Sequence, residues 1–216
     1  MKLHIATPAY DGKVHAGFAR SLLVAGQECL RNGIQVSSTI KKNGIFIHIA
    51  RNVLVRQFLE ETDCTHLMFI DSDLGFDPEA VCLLAQSGLP VAAGIYRQRE
   101  DKMRYVFRLP NNEIIRRDGW LQMDRLAGGF MCIAREVLQE MSDRAEKVDV
   151  IHHGELPYVF RIVDKGKFIG EDLCWCDDYT RLYQEGVFDE PIWVWPNITF
   201  DHGGYVGNLS WHMQNQ

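Results

Sequence analysis

The 216-residue chain has no Cys-x-x-Cys pair, no long apolar run and no excess of positive charge. Its six cysteines, Cys29, Cys64, Cys82, Cys132, Cys174 and Cys176, sit mostly inside apolar stretches. Buried free thiols are therefore expected, rather than zinc ligands or disulfides. No segment approaches the ~18 consecutive apolar residues that a membrane-spanning helix needs. The N-terminal MKLHIATPAYDG also has too short an apolar stretch for a signal peptide's hydrophobic region, so the expectation is a soluble, cytoplasmic protein. A net charge of −6 gives no global attraction to nucleic acid or anionic membrane, although it leaves room for a local basic groove. There is no Pro/Ser-rich linker, internal repeat or low-complexity stretch, so a single domain over residues 1–216 is expected. Eleven Phe, five Trp and seven Tyr are enough to fill a substantial core.

The first half alternates strand-like and helix-like segments. Residues 3–7 (LHIAT) form a short apolar run stopped by Pro8. Over residues 16–31, Phe18, Leu22, Leu23, Ala25 and Leu30 recur at roughly helical spacing, and Asn32-Gly33 supplies a stop. Residues 34–40 alternate like a strand, and residues 49–60 place Ala50, Leu54 and Phe58 on one helical face. Residues 66–70 (HLMFI) are continuously apolar, as in a strand buried on both faces. Pro78 suits the first turn of a helix through Ser87, and residues 91–93 make another short strand. This βαβαβαβ order predicts a parallel sheet with helices on both faces. After about residue 95 the pattern changes. Short strands are predicted at 104–108, 113–116, 121–124, 130–133, 158–163 and 192–195, with helices at 135–142 and 171–185. The expected class is α/β: an N-terminal parallel βα half continuous with a mixed α/β half.

In such sheets ligands bind beyond the carboxyl ends of the strands. The loops after residues 3–7 and 66–70 both lie there. The second reads MFIDSDLGFDP (residues 68–78), which ends an apolar run with Asp71, Ser72 and Asp73. A bend at Ser72 would let both carboxylates face one site, suited to Mg²⁺ or Mn²⁺ bridging a pyrophosphate. The alternative is a solvated strand end, or Asp73 or Asp77 capping the next helix. Four further stretches carry chemistry or a bland counterpart. ARN (residues 50–52) opens a helix after the IFIHI run, where Arg51 opposes the macrodipole unless an anion is near. AGGFMCIAR (residues 127–135) places Gly128 and Gly129 where a backbone approaches a ligand, or at a bulge. GED (residues 170–172) puts Glu171 and Asp172 in a helical first turn, as a favourable pair or a catalytic base. DHGG (residues 201–204) places His202 in a glycine-flanked loop, or else in the core or on the surface.

Together, PAYDG, ARN, FIDSD, GGFM, GED with its trailing WC, and DHGG resemble the motif series of the GT-A glycosyltransferases, in family order and across residues 8–204. The combination looks like that of the compact viral and bacterial members, and also of the yeast Golgi mannan-building mannosyltransferases. The resemblance implies a Rossmann-like GT-A fold, with about residues 1–95 holding a nucleotide sugar (UDP-, GDP- or dTDP-linked) and about 96–216 the acceptor. It implies a metal site of Asp73, Asp71 and His202, with Mn²⁺ favoured over Mg²⁺ by the imidazole. Pro8, Ala9, Tyr10 and Asp11 would line the nucleotide. Arg51, Asp71 and Ser72 would approach its ribose, diphosphate or sugar, and Gly128 and Gly129 would floor the sugar. Asp172, with Glu171 as the second candidate, matches the catalytic base of inverting members. In retaining members an acid there only positions substrate, and both outcomes stay open. The setting implied is a bacterial or virus-infected host cytoplasm.

Two other functions are compatible with the residues. Phage GT-A proteins include enzymes that glycosylate hydroxymethylated DNA bases. The basic stretch Arg97, Arg99, Arg104, Arg108, Arg116 and Arg117 permits this, while the acidic net charge opposes it. The stretch would bind phosphates, or else consist of solvated loop charges. A nucleotidyltransferase or a non-catalytic nucleotide-binding module is the alternative of another class. The first loop, PAYDGKVHAG, lacks the Gly-rich basic character that holds a triphosphate.

Overall fold

The apolar runs at 3–7 and 66–70 form adjacent strands, second and third from one edge of one large sheet. The computed structural model describes residues 1–42 and 46–214. Its main elements are β1 (Lys2–Ala9), α1 (Ala16–Arg31), β2 (Gln35–Lys42), α2 (Ile47–Glu61), β3 (His66–Ile70), β4 (Leu74–Phe76), α3 (Glu79–Ala85) and β5 (Val91–Ala93). After these come β6 (Arg116–Arg117), β7 (Trp120–Met123), β8 (Phe130–Ala134), α4 (Arg135–Arg144) and α5 (Glu171–Gln184). The chain closes with β9 (Ile192–Val194), β10 (Thr199–His202), β11 (Tyr205–Asn208) and α6 (Leu209–Gln214). Eight strands form the central sheet, in the order β2-β1-β3-β8-β5-β9-β7-β6. Among the described residues, no helix is long and apolar enough to cross a membrane.

Period-2 alternation sorts the central strands between two cores. Leu67, Phe69, Met131 and Ile133 face a core shared with Leu54, Phe58, Leu138, Trp175 and Tyr179 of α2, α4 and α5. Leu3, Ile5, Met68, Ile70, Phe130 and Cys132 face the other, built with Phe18, Ala25, Cys29, Val81 and Leu84 of α1 and α3. All six cysteines are buried thiols. Helix α1 ends as expected, with Asn32 at its C-cap and Gly33 at φ 71°. Its buried face differs from the predicted one. It runs through Phe18, Ser21, Ala25 and Cys29, and Leu23 and Leu30 lie exposed.

The sheet is mixed rather than parallel through its first half. β1 pairs parallel with β2 and β3, but β8 inserts antiparallel between β3 and β5. The two predicted neighbours are thereby separated, with Phe130 set opposite Ile70. The second half departs further from expectation. The 104–108 stretch reduces to Phe107–Arg108, paired with Arg125–Leu126, and the 113–116 strand is instead Arg116–Arg117. Residues 158–162 form no strand. The Asn52 carboxamide serves the backbone of Phe160 there, accepting its N–H at 2.9 Å and donating to its carbonyl at 3.1 Å. A side chain replaces the ladder, and a hairpin of Lys147–Val150 with Gly154–Pro157 precedes it. Of the IFIHI run, Ile45 lies outside the described residues, and Phe46 is the N-cap of α2.

The small sheet β11-β10-β4 does most to position the site. DHGG is not a loop: β10 ends in His202, and Gly203 (φ 62°) with Gly204 (φ 95°) turns the chain into β11. β4 begins directly after Asp73 and pairs antiparallel with β10, with His202 opposite Leu74. Segments about 130 residues apart in sequence are thus held side by side by a short ladder.

Candidate active site

Asp71, Ser72 and Asp73 form the tight connection between β3 and β4. The Asp71 N–H continues the sheet ladder to the Gly129 carbonyl (2.9 Å), and the Leu74 N–H closes the turn on the Asp71 carbonyl (3.2 Å). The Ser72 carbonyl accepts the His15 N–H at 2.9 Å, which ties the loop after β1 to this turn. The bend at Ser72 does not aim both carboxylates at one point. Asp71 Oδ1 accepts Arg51 Nη2 at 2.9 Å, and its Oδ2 accepts the Tyr96 hydroxyl at 3.3 Å. Asp73 Oδ2 faces Arg99 Nη1 at 3.0 Å and His202 Nε2 at 3.4 Å.

The Asp73–His202 pair has the chemistry of a cation site. His202 Nδ1 lies 2.8 Å from the Arg97 carbonyl, which can only accept, so Nδ1 carries the proton. In the neutral ring this leaves the Nε2 lone pair pointing toward Asp73, the tautomer that outer-shell carbonyls impose on metal-binding histidines. Burial works against charge on His202, but the Asp73 carboxylate and the Arg97 carbonyl together outweigh it and raise its pKa above the ordinary 6.5. In the protonated ring Nε2–H donates to Asp73 instead, and this hydrogen bond holds the carboxylate below its usual range. Among the described residues no group of three or more His, Cys, Asp and Glu side chains converges as a metal cluster. Asp73 and His202 are brought together, and Asp71 turns to Arg51 and Tyr96 instead.

Arg51 sits in the second turn of α2 and is 2% exposed. The anion expected beside it is supplied by the protein. In addition to Asp71, its Nε faces Glu171 Oε1 at 3.4 Å and its Nη1 donates to the Gly128 carbonyl at 3.3 Å. Burial opposes its charge, and Asp71 and Glu171 more than restore it. Its guanidinium also lies 5.0 Å from the Phe69 ring centroid. Asp172, in the first turn of α5, accepts the Leu173 N–H at 2.8 Å and the Gly128 N–H at 3.3 Å. Burial and then the neighbouring Glu171 raise its pKa, with Arg51 pulling the other way. A carboxylate raised in this way is a better proton acceptor than a solvated one.

The two glycines of GGFM differ in how tightly they are held. A Cβ on Gly129 would stand 2.2 Å from Asp71 Oδ2 and 2.3 Å from the Tyr96 hydroxyl oxygen, distances no side chain tolerates. At Gly128 the nearest atom is Asp172 Cβ, at 3.1 Å. In the first loop, Pro8 and Ala9 are buried at the end of β1, Tyr10 is 76% exposed, and the Asp11 carboxylate is taken by the Lys13 N–H at 3.0 Å.

Tyr96 was not read from the sequence as a site residue. Its hydroxyl accepts the Gly129 N–H at 3.2 Å while donating to Asp71, and its ring stands edge-on to His202 at 5.0 Å between centroids. One side chain therefore touches three of the motif segments. The available signal is a tyrosine just past the carboxyl end of an apolar strand, in the same GIYRQRE stretch as Arg97 and Arg99.

The arginines of the basic stretch are largely engaged within the protein. Arg97 is buried, donates to the Glu100 carbonyl at 2.5 Å and lies over the Tyr205 ring. Arg104 faces Glu100 (3.8 Å), Arg108 faces Asp177 (3.1 Å) and Arg117 faces Glu190 (2.9 Å). A cavity of about 720 Å³ lined by Lys2, His4, Ser37, Thr62 and Cys64 opens at the other edge of the sheet, and none of the site residues lines it.

No family model matches the sequence, and no curated protein matches it. Among solved structures, the chain is similar to a glycosyltransferase involved in the glycosylation of the major capsid of PBCV-1. That likeness has 11% identity over 88% of this chain and 77% of the other, with a TM-score of 0.40, too slight to carry an argument. It is also similar to A197 from STIV, with 17% identity over 94% of this chain and 85% of that one and a TM-score of 0.55. The second likeness is one of fold alone: a mixed α/β architecture shared with A197 along nearly the whole of this chain.

Proposed function

We propose that this chain is a metal-dependent glycosyltransferase of GT-A type, moving a sugar from a nucleotide diphosphate-sugar to an acceptor hydroxyl. The observation that carries this reading is the β4–β10 ladder, which brings His202 Nε2 to 3.4 Å from Asp73 Oδ2 at the carboxyl edge of the sheet. Asp71, Arg51, Gly128, Gly129 and Asp172 form one connected hydrogen-bonded cluster beside it.

In this reading Asp73 and His202 hold the divalent cation, Mn²⁺ in preference to Mg²⁺ because one donor is imidazole. When bound, the cation would neutralise charge on the departing diphosphate. Arg51 and Tyr96 fix the Asp71 carboxylate, which meets the donor's ribose or sugar. Gly128 and Gly129 border the sugar, and their missing side chains leave room for Asp71, Tyr96 and Asp172 to pack against the backbone beside it. Asp172, and less directly Glu171, takes the acceptor proton in an inverting reaction or positions the acceptor in a retaining one. Pro8, Ala9, Tyr10 and Asp11 border the nucleotide. The pairing of Arg104, Arg108 and Arg117 with acids favours a saccharide, lipid-linked or protein acceptor over DNA.

The test pairs two variants against a panel of UDP-, GDP- and dTDP-sugars with Mn²⁺. Asp73→Ala should abolish metal-dependent donor binding, whereas Asp172→Ala should bind donor and lose transfer. Normal donor binding by Asp73→Ala in the presence of metal would show that the site is assigned wrongly.

A further inference from the structure

Arg99 is the one arginine of the basic stretch set directly on the proposed cation site. Its Nη1 lies 3.0 Å from Asp73 Oδ2, the same oxygen that faces His202, and its side chain is 53% exposed. It rides on the 98–104 loop, which is pinned at both ends. The Gln98 N–H donates to the Arg104 carbonyl at 2.8 Å, and buried Arg97 holds the Glu100 carbonyl. The Arg97 carbonyl in turn accepts the proton of His202 Nδ1. Two residues of one anchored segment therefore converge on Asp73, Arg99 directly and Arg97 through the histidine that its carbonyl holds.

Gly203 completes the arrangement. A Cβ there would stand 3.0 Å from Arg99 Cδ, so the bare glycine backbone is the surface along which the arginine stem lies. Two requirements meet at this position, a φ of 62° and room for Arg99.

A divalent cation held by Asp73 Oδ2 and His202 Nε2 would stand beside the Arg99 guanidinium, and the two positive charges would repel while drawing on the same carboxylate oxygen. A guanidinium released beside a bound diphosphate has an immediate partner, since its planar fork matches phosphate oxygens and its long stem can swing. We propose that Arg99 is a diphosphate-binding arm that rests on Asp73 and passes to the donor's phosphates when a cation takes the carboxylate. The proposal rests on the metal-dependent reading above and assigns to it a residue that couples cation binding to donor binding.

The two uses of Arg99 predict opposite effects of its removal. The arm competes with the cation, so Arg99→Gln should bind Mn²⁺ alone more tightly, by about two- to five-fold for a half-exposed ion pair. The arm assists the diphosphate, so Arg99→Gln should bind UDP or GDP in saturating Mn²⁺ about tenfold more weakly, the loss of a charge-assisted hydrogen bond. Arg99→Lys should retain wild-type Mn²⁺ affinity. Paramagnetic resonance titration of free Mn²⁺ and calorimetry with UDP and GDP read both quantities without turnover, and thermal melts check that the variants fold. Mn²⁺ affinity in Arg99→Gln equal to or weaker than wild type overturns the proposal, as does undiminished nucleotide affinity. Asp73→Asn separates the two levels. If it binds Mn²⁺ as wild type does, the metal site itself is wrong. If it loses Mn²⁺ while Arg99→Gln matches wild type, only the arm is wrong.

Discussion

Gly129→Ala is the smallest change that strikes the centre of the site. The added methyl would begin 2.2 Å from Asp71 Oδ2 and 2.3 Å from the Tyr96 oxygen, and relief to even 3.0 Å requires a movement of 0.8 Å or more. Neither neighbour can withdraw easily. Asp71 is held by Arg51 at 2.9 Å and by its own N–H on the Gly129 carbonyl, and Tyr96 is buried against Phe200 and His202. Overpacking of this kind costs about 1–3 kcal/mol. For a chain of this size that corresponds to a melting point lower by roughly 2–12 °C. Gly128→Ala is the matched control, because its nearest atom is one side-chain Cβ at 3.1 Å, and it should cost less. Thermal and urea denaturation of both variants, with nucleotide binding in Mn²⁺, gives the readout. Gly129→Ala melting within about 1 °C of wild type, or melting above Gly128→Ala, would refute the placement of Asp71 and Tyr96 against the β8 backbone.

Two further outcomes follow from the same geometry. Arg51→Met leaves Asp71 and Glu171 facing each other without their shared cation. Removing one member of a buried pair costs about 3–5 kcal/mol, and the 25% and 14% exposure of the two acids places the loss near the low end. A wild-type urea midpoint in this variant contradicts the arrangement. His4 is buried beside Ser37, and burial lowers its pKa below 6.5. The folded state then binds fewer protons than the unfolded one, so this contribution is present above pH 6.5 and is lost as pH falls below it. His4→Asn should make the acid-side decline in stability shallower, and an unchanged decline argues against a neutral, buried His4.

What could be read in advance divides along local and non-local lines. The runs at 3–7 and 66–70 become strands because each is apolar on both faces, a property visible residue by residue. The insertion of β8 between β3 and β5 is a pairing between distant segments, and nothing in FMCIA states its partner or direction. The same holds for β4, whose three residues are too few to show a period and which exists because Thr199–His202 lies beside it. Asp71, Asp73, Arg51 and His202 stand out because charged or imidazole groups follow apolar segments, and Asp172 because an acidic pair opens a helix. Tyr96 does not, because an aromatic next to Ile95 reads as core, and its role emerges only when Asp71, Gly129 and His202 surround it. Asn52 was passed over for the opposite reason: its task of holding the Phe160 backbone is fully structural. The separate directions of Asp71 and Asp73 depend on the turn at Ser72 and on Arg51, neither of which spacing alone specifies.

In the proposed function Asp73 and His202 form a cation site that serves a nucleotide diphosphate at the carboxyl edge of the sheet. Anomalous diffraction from crystals grown with Mn²⁺ and UDP or GDP tests it most directly. The expected result is a manganese peak bonded to the Asp73 carboxylate and His202 Nε2, with the diphosphate beside it and Arg99 turned toward the phosphates. Manganese bound elsewhere, or nucleotide seated away from β3 and β10, would contradict it.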